Sequence, residues 1–235
     1  MQNCTSIIET LQQNLSQMGL RLPNLSGCSS PEVASDRAQI LDRKSQFFDR
    51  WAPHYDSLFT TIFYQAIHKR LLESIAMPPA SPVLDLGCGT GRLWERLGRE
   101  FPEIRGIGLD LSPEMVQQAA ARNCYPDRVQ FQIGEASQLP FGEATFGTVF
   151  NTLSFLHYPD PQAVFQEVSR VLSPGGQFYL VDIAPSFFNT IPFSPNGIRF
   201  YSRQQRQDFG TRSGLHCQGH AHLLGNVLLS QFVRV

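Results

Sequence analysis

Lysine is scarce in this sequence. Only two lysines, Lys44 and Lys69, occur among the 235 residues, and the formal net charge is -1 at pH 7. Arginines supply the remaining positive charge, and they are dispersed among acidic residues. A protein that follows a phosphate backbone needs a basic field along one face, because neutralised phosphates supply much of its affinity. The composition therefore argues against nucleic acid as a substrate or partner.

Long apolar runs and paired cysteines are also missing. No stretch approaches the roughly 20 apolar residues of a membrane-spanning helix, and the first residues lack the positive charge of a signal peptide. The five cysteines are far apart and form no Cys-x-x-Cys pair, which argues against structural zinc and against a disulfide framework. We therefore expect a cytoplasmic protein with reduced thiols, no metal and no stable membrane insertion.

The chain length and the 42% of hydrophobic residues suit one compact domain with an appendage. Residues 5–20 carry an apolar stripe at helical spacing, and the turn-rich residues 23–31 follow it. We interpret residues 1–35 as an N-terminal amphipathic helix and linker. Residues 36–235 are then a single domain, whose first helix starts near Asp36.

From Val83 onward, short apolar runs alternate with helical patterns, which is typical of a doubly wound, Rossmann-like α/β sheet. Two of the helices begin with an N-cap and a proline, at Ser112-Pro113 and at Asp160-Pro161. Ser173-Pro174-Gly175-Gly176 is expected to stop the second of them. The predicted strands are residues 82–86, 106–110, 129–133, 145–151 and 177–182.

The C-terminal part of the chain predicts one more helix and a closing hairpin. Ser202 and Gln205 form a capping-box pattern, but the helix expected over residues 203–213 has almost no apolar stripe beyond Phe209. The apolar runs at residues 215–223 and 226–235 then predict two paired strands, of which the last runs antiparallel to the rest of the sheet.

The segment Gly87-Cys88-Gly89-Thr90-Gly91 follows the first predicted strand directly. Such a turn lets a ligand approach the backbone closely, because side chains would block it. Dinucleotide sites favour G-x-G-x-x-G/A, but here the sixth position is the bulky Arg92. Asp110 ends the second strand about 20 residues farther on, where a carboxylate is expected to bind the two hydroxyls of a ribose.

In these segments the chain resembles the class I S-adenosylmethionine-dependent methyltransferases of the small-molecule type, and most of all the ubiquinone/menaquinone-biosynthesis C-methyltransferases. The resemblance covers the central hundred or so residues. It implies a mostly parallel seven-stranded sheet with the last strand antiparallel, and S-adenosyl-L-methionine as the cofactor. The segments that carry it are residues 83–93, 106–115, 134–141, 146–161 and 171–176.

The resemblance also implies roles for individual residues around the cofactor. Glu135 stands where the family usually has aspartate, so it keeps an acceptor for the adenine edge but is one methylene longer. The implied contacts are Asp85, Gly87, Gly89 and Gly91, with Cys88 in the same loop, for the methionine part; Asp110 for the ribose; Leu111, Met115, Glu135 and Ala136 for the adenine; and Asn151 for the reactive end.

Two further residues are candidates for the acceptor side. His157 follows the fourth strand at the edge where open α/β sheets bind ligands, and its ordinary pKa near 6.5 suits a general base; packing alone is the alternative. Tyr55 lies in an aromatic segment, residues 47–56, that resembles the family's cover over the cofactor. Its aromatic residues would equally well form the buried face of a helix. Many family members have a second histidine where this chain has Tyr158.

The expected function is methyl transfer to a small, apolar or aromatic acceptor. Aromatic residues at 183–200, together with residues 51–64, would line such an acceptor pocket or simply fill the core. The fourth strand ends in Asn151-Thr152-Leu153-Ser154, which differs from the pattern of enzymes that methylate nucleobases or amides. Two alternatives remain: a catalytically silent cofactor-binding protein, and a nicotinamide-dependent oxidoreductase, which Arg92 and Glu135 disfavour.

Overall fold

The computed structural model describes residues 33–55, 58–76, 81–184 and 197–235. The predicted helix at residues 5–20 and most of the aromatic segment at 183–200 lie outside the described residues. The side chains of Trp51 and Tyr55 lie outside them as well. The division of the chain at residue 35 remains a prediction.

Helices and strands alternate over much of the described chain, as the sequence predicts, but the strands at residues 129–133 and 146–152 follow one another without a helix between them. The helices are α1 (Val33–Tyr55), α2 (Leu58–Glu73), α3 (Arg92–Glu100), α4 (Pro113–Ala121), α5 (Pro161–Val171) and α6 (Arg203–Arg212), with a short 3-10 helix at Phe155–His157. The strands are β1 (Val83–Leu86), β2 (Gly106–Asp110), β3 (Val129–Ile133), β4 (Phe146–Thr152), β5 (Leu172–Ile183), β6 (Leu215–Leu224) and β7 (Val227–Arg234).

The strands form one seven-stranded sheet in the order β3-β2-β1-β4-β5-β7-β6. Strands β1 to β5 pair in parallel, whereas β7 is antiparallel to both of its neighbours, β5 and β6. This confirms the predicted fold class, including the antiparallel last strand. The order of the strands reverses between β1 and β4, so their carboxyl ends border the crevice where open α/β sheets bind ligands.

Both faces of the sheet are covered, which explains why β1 is buried along its whole length. Leu84 and Leu86 belong to an apolar cluster under α5 and the C-terminal hairpin, while Val83 belongs to a second cluster under α2 and α3. In the part of the chain that the structure describes, no helix is long and apolar enough to span a membrane.

Strand β5 begins earlier than the sequence indicated. Helix α5 ends at Val171 and the strand starts at Leu172, so the Ser173–Gly176 segment stops the helix but already belongs to the strand. The pairing register with β4 shifts between Phe146 and Thr148. Gly175 adopts a φ of 75° beside this irregularity, a conformation that glycine accepts without steric cost.

The polar helix α6 has a buried face of an unusual kind. Its capping box is present, with Ser202 and Gln205 each accepting the other's backbone amide. Arg206 is only 1% exposed, and its guanidinium donates hydrogen bonds to the carbonyls of Tyr201, Asp182 and Leu228 at 3.1 Å each. The helix docks through this arginine and through Phe209, whose ring packs against Phe165 and Tyr201. It has no longer apolar stripe, which is why its hydrophobic pattern is weak.

Candidate active site

The glycine loop has the backbone conformation that its composition predicts. Gly87, Gly89 and Gly91 have φ values of 72°, 51° and 80°, a left-handed region that residues with a Cβ rarely adopt. A Cβ on Gly87 would also lie 2.3 Å from the hydroxyl oxygen of Ser154 and 2.8 Å from that of Tyr158. Glycine is therefore required at position 87 both by conformation and by space.

Asp110 connects this loop to the end of β2. Its Oδ2 accepts a hydrogen bond from the amide of Gly89 at 2.9 Å, and its Oδ1 accepts one from the amide of Ser112 at 3.0 Å. Burial raises the pKa of the Asp110 carboxyl, and these two amides oppose the rise. The carboxylate lies where the sequence places it, at the carboxyl edge of the sheet beside the loop.

Asp85 has the least satisfied side chain in the crevice. It is completely buried on β1, and neither carboxyl oxygen has a hydrogen-bond partner among the described residues. Burial, together with the nearby Asp110, raises its pKa to about 8. A buried polar group without a partner is costly, so this carboxyl fits a cationic ligand group such as the ammonium of an amino acid.

A hydrogen-bonded cluster closes the other side of the loop, at the end of β4. The amide nitrogen of Asn151 lies 2.8 Å from each of three acceptors: the carbonyl of Leu86, the hydroxyl of Ser154 and the hydroxyl of Tyr158. Ser154 and Tyr158 are themselves 3.1 Å apart. Sequence reasoning singled out Asn151 and Tyr158 but missed Ser154, whose role follows from its contact with Gly87.

The residues that are expected to contact an adenine lie close together near the end of β2. The amide of Gly134 donates to the carbonyl of Asp110 at 2.9 Å, which brings the following Glu135 and Ala136 to this edge. Met115 and Ala136 are buried, Leu111 and Glu135 are half-buried, and Ser137 donates a hydrogen bond to the Glu135 carboxylate.

Cys88 is buried inside the glycine loop. Burial and the neighbouring carboxyls of Asp110 and Asp85 raise the pKa of its thiol well above the ordinary value. Since the thiolate is the reactive form of cysteine, this environment agrees with a residue that fills space in the loop.

Helix α1 lies across the crevice, and it includes most of the aromatic segment, residues 47–56, that was expected near the cofactor. Near the start of α4, Asp49 accepts hydrogen bonds from the Ser112 hydroxyl and, at 3.4 Å, from the Glu114 amide. Ser45 donates to the carbonyl of Leu111 at 3.4 Å. Lys44 reaches the carbonyl of His157 beyond β4. Three side chains of one helix therefore connect the end of β2 with the loop that follows β4.

His157 lies under α1, and its ring packs edge-on against Phe48 with ring centroids 5.0 Å apart. Burial and the charge of Lys44 lower its pKa to about 3, so the imidazole is neutral at physiological pH but is only a weak base in the free protein. Tyr55 is the last residue of α1. Because its side chain is outside the described residues, its role as a cover remains a prediction.

Comparison with known proteins gives matches over the same region. Residues 83–176 match the protein family described as "Methyltransferase domain". The malonyl-[acyl-carrier protein] O-methyltransferase of Herminiimonas arsenicoxydans is 34% identical over 183 residues, which are 75% of this chain and 65% of that protein. The demethylmenaquinone methyltransferase of Thermotoga maritima is 31% identical over 159 residues, or 66% of this chain and 67% of that protein.

The chain spans only part of the malonyl-[acyl-carrier protein] relatives, since it covers between 34% and 65% of their lengths.

Among solved structures, a chain from the complex between the Haloferax volcanii Trm112 methyltransferase activator and a methyltransferase is 25% identical. It superposes with a TM-score of 0.66 over 80% of this chain and 97% of that chain. The strand order, the glycine loop and these relatives agree: the chain belongs to the class I S-adenosylmethionine-dependent methyltransferases.

Proposed function

We propose that the protein binds S-adenosylmethionine at the glycine loop and transfers its methyl group to a small acceptor with an apolar or aromatic body. The observation that carries the proposal is the buried carboxyl of Asp85 beside the glycine loop, which has no hydrogen-bond partner among the residues that the structure describes. The amino acid end of the cofactor carries an ammonium that would satisfy this carboxyl. The nicotinamide of a dinucleotide offers no such group to Asp85.

The other cofactor contacts are proposed from where each residue lies relative to the glycine loop and the strand ends. The carboxylate of Asp110 would accept hydrogen bonds from the ribose hydroxyls, and the backbone of Gly87, Gly89 and Gly91 would let the methionine part approach closely. Asn151 at the end of β4 would face the reactive end. The contacts proposed for the adenine are Leu111, Met115, Glu135 and Ala136, with Cys88 packing behind the loop.

The cofactor supplies a methyl group that is already activated on a sulfonium, so the protein's tasks are alignment of the acceptor and exclusion of water. Helix α1 would keep water out, since it lies across the crevice from β2 to the loop after β4. Where the acceptor's nucleophile carries a proton, the imidazole of His157 would accept it once acceptor binding raises its pKa toward neutrality. Tyr55 would complete the cover.

The names of the relatives offer two kinds of acceptor. The malonyl-[acyl-carrier protein] O-methyltransferases act on a carrier-bound acyl group, and the demethylmenaquinone methyltransferases on a quinone. Both acceptors carry oxygen functions, and the quinone also has an apolar ring system. We propose an acceptor of this general kind for the present chain.

Calorimetric titration with S-adenosylhomocysteine and with NAD tests the cofactor assignment. We expect heat with the former and none with the latter, and a loss of affinity in Asp85→Asn. The exposed Asp127 provides the matched control Asp127→Asn, which should bind normally. Binding of NAD alone would refute the proposal.

Turnover needs a separate experiment, because a catalytically silent protein would also bind the cofactor. Purified protein is incubated with methyl-labelled S-adenosylmethionine and fractionated small-molecule and acyl-carrier extracts. We expect label in an organic-soluble or carrier-bound product, and none with Asp85→Asn. If the protein binds S-adenosylhomocysteine but labels no fraction, the silent alternative is correct.

A further inference from the structure

A buried carboxylate of β5 holds the loop that follows β4. Asp182 is next to the last residue of β5 and is only 2% exposed. Its Oδ2 accepts a hydrogen bond from the amide of Leu156 at 2.8 Å, and its Oδ1 accepts one from the amide of Ile183 at 2.7 Å. Leu156 is the middle residue of the 3-10 helix Phe155–His157. One side chain therefore connects the end of β5 with the turn that carries the candidate base.

The backbone of Asp182 is fixed in turn from α6. Arg206, which is buried, donates hydrogen bonds to the carbonyl of Asp182 at 3.1 Å and to that of Ile183 at 3.3 Å. Its positive charge also favours the ionised form of the Asp182 carboxyl. The guanidinium, the end of β5 and the 3-10 helix thus form one connected series of contacts.

The amide of Leu156 lies at the start of the 3-10 helix, where a helix cannot satisfy its own amides. The turn's own hydrogen bonds begin with the next amide, that of His157, which donates to the carbonyl of Ser154 at 3.0 Å. A buried amide that lacks an acceptor is costly. The orientation of the peptide at Leu156 is therefore set by Asp182.

The turn directs side chains to both sides of the crevice. The hydroxyl of Tyr158, which follows the 3-10 helix, lies 2.8 Å from the amide nitrogen of Asn151 beside the glycine loop. The ring of His157 instead packs against Phe48 of α1. Because these neighbours share one short turn, a change in the peptide at Leu156 displaces both the hydroxyl and the imidazole.

The charge on Asp182 controls how many hydrogen bonds its carboxyl accepts. Burial raises the pKa of this carboxyl to about 6, whereas Arg206 and the amides of Leu156 and Ile183 oppose the rise. The phenol of Tyr201, before α6, also interacts with it, since burial and, in smaller part, this carboxylate raise the pKa of the phenol. At pH 7 the carboxylate is mostly ionised and both oxygens accept. In the protonated acid one oxygen becomes a donor.

We propose that Asp182 is a positioning residue for methyl transfer, because its hydrogen bond to the Leu156 amide sets the turn that holds the acceptor against His157. The proposal rests on the proposed function for the transfer step, but the arrangement of the turn can be measured without turnover. Misplacement of a reacting group by about 1 Å costs about a hundredfold in rate. The cofactor should stay bound, because Asp110 ties the glycine loop to β2 without help from Asp182.

The hydrogen bond is directly observable by NMR in the unliganded parent protein. The amide proton signal of Leu156 should titrate with the Asp182 carboxyl, with a midpoint near pH 6. Asp182→Asn identifies the titrating group, because the same signal should then stay constant. The amide of Gly106, which donates to the carbonyl of Arg128 at 2.9 Å, is the internal control and should not follow. The titration itself uses the parent protein, so it does not depend on the folding of any variant.

Variants test whether the hydrogen bond serves the transfer. Asp182→Asn keeps the size of the side chain but replaces one acceptor oxygen by a donor, so one of the two amides loses its partner. We expect the initial rate of label transfer from methyl-labelled S-adenosylmethionine to the acceptor fraction to fall at least about tenfold. The Overhauser contact between the rings of His157 and Phe48 should weaken as well. Affinity for S-adenosylhomocysteine should stay within about threefold of the parent protein.

Two further variants separate this hydrogen bond from charge and from the loop in general. Asp182→Glu keeps a charge beside Arg206 but displaces the oxygens, so it should also slow the transfer. Asp160→Asn is the matched control. Asp160 is exposed and caps α5 by accepting the amide of Ala163 at 3.0 Å, and asparagine caps a helix as well as aspartate does. This control should change neither the rate nor the ring contact.

Three results would overturn the assignment. One is a Leu156 amide signal that does not titrate with Asp182, the second is an unchanged rate of label transfer in Asp182→Asn, and the third is a loss of rate matched by an equal loss of S-adenosylhomocysteine affinity. The second would leave the methyltransferase activity in place and remove the role of Asp182. If the amide and the ring contact respond as expected but the parent protein labels no fraction, the turn is held as proposed and the proposed methyl transfer fails.

Discussion

The amide of Gly89 donates a hydrogen bond of 2.9 Å to the carboxylate of Asp110, and this contact ties the glycine loop to the end of β2. The second carboxylate oxygen holds the amide of Ser112, the N-cap of α4. Asp110 therefore has a structural task before any ligand binds. Loss of affinity on removing it would not by itself demonstrate a ribose contact.

A double-mutant cycle separates the two roles of Asp110. If its carboxylate accepts the ribose hydroxyls, Asp110→Asn should weaken S-adenosylhomocysteine binding by about 1–3 kcal/mol. The loss of binding free energy caused by Asp110→Asn should be smaller for the 2′-deoxy analogue, which lacks one of those hydroxyls. Calorimetry on both proteins with both ligands measures the coupling. Equal penalties for the two ligands would restrict Asp110 to its contacts with Gly89 and Ser112.

Binding of the cofactor is expected to release a proton from Asp85. In the free protein the pKa of this carboxyl is about 8 because it is buried, so the group is mostly protonated at pH 7. A ligand ammonium favours the charged form and lowers that pKa, so affinity should rise with pH until the free carboxyl is itself ionised near pH 8. Calorimetry at pH 7 in buffers of different ionisation enthalpy measures the number of protons released per ligand bound.

The control for this effect is Asp85→Asn, which mimics the protonated acid and should bind more weakly with no proton release. Asp127→Asn, on the surface, should keep the release of the parent protein. Binding without any proton release at pH 7 in the parent protein would show that Asp85 keeps the same ionisation state on binding and would contradict the prediction.

Gly87→Ala is predicted to be far more harmful than Gly175→Ala. Both glycines have similar φ values, 72° and 75°, so both substitutions carry the conformational cost of about 1–2 kcal/mol. Only the alanine at position 87 would collide, since its Cβ would be 2.3 Å from the Ser154 oxygen, whereas nothing lies within 4 Å at Gly175. Denaturant unfolding and S-adenosylhomocysteine titration should show the larger loss of stability, and a loss of affinity, for Gly87→Ala alone. Equal effects would contradict the contact.

His157 is predicted to remain neutral across the physiological range. Burial and Lys44 lower its pKa to about 3, so its ring signals should not titrate between about pH 5 and pH 8, where an ordinary histidine does. NMR of the parent protein against His157→Gln assigns the signal. Where the acceptor's nucleophile carries a proton and acceptor binding raises this pKa, the variant should also reduce kcat by about a hundredfold with S-adenosylhomocysteine affinity unchanged. A titration midpoint near 6.5 would show that the imidazole is solvated.

Local sequence signals predicted most of the fold. Strands β1, β2 and β3 lie where alternation of apolar runs placed them, and the proline-marked starts of α4 and α5 are present. Helix α6 was harder to recognise because its buried contact is Arg206, whose partners are carbonyls distant in the chain. Periodicity reports apolar faces and is insensitive to a helix held by polar contacts.

The residues of the candidate site also fall into two groups, those that the sequence predicted and those that it did not. The glycine loop, Asp85 and Asp110 belong to continuous motifs, because a turn next to a strand end is built from neighbouring residues. Ser154 and the polar contacts of α1 were not evident, since their partners, Gly87 and the loop after β4, lie far away in the sequence.

The sequence by itself determined the family, the glycine loop and the order of helices and strands, because each depends on spacing within short segments. Only the tertiary structure decided which side chains meet: Asp85 has no hydrogen-bond partner in the part of the chain that the structure describes, His157 is kept neutral, and Lys44 is brought beside Arg199. The physical reason is that burial and charge at a site depend on elements packed together from distant parts of the chain. Those two quantities set the pKa values from which the chemistry is inferred.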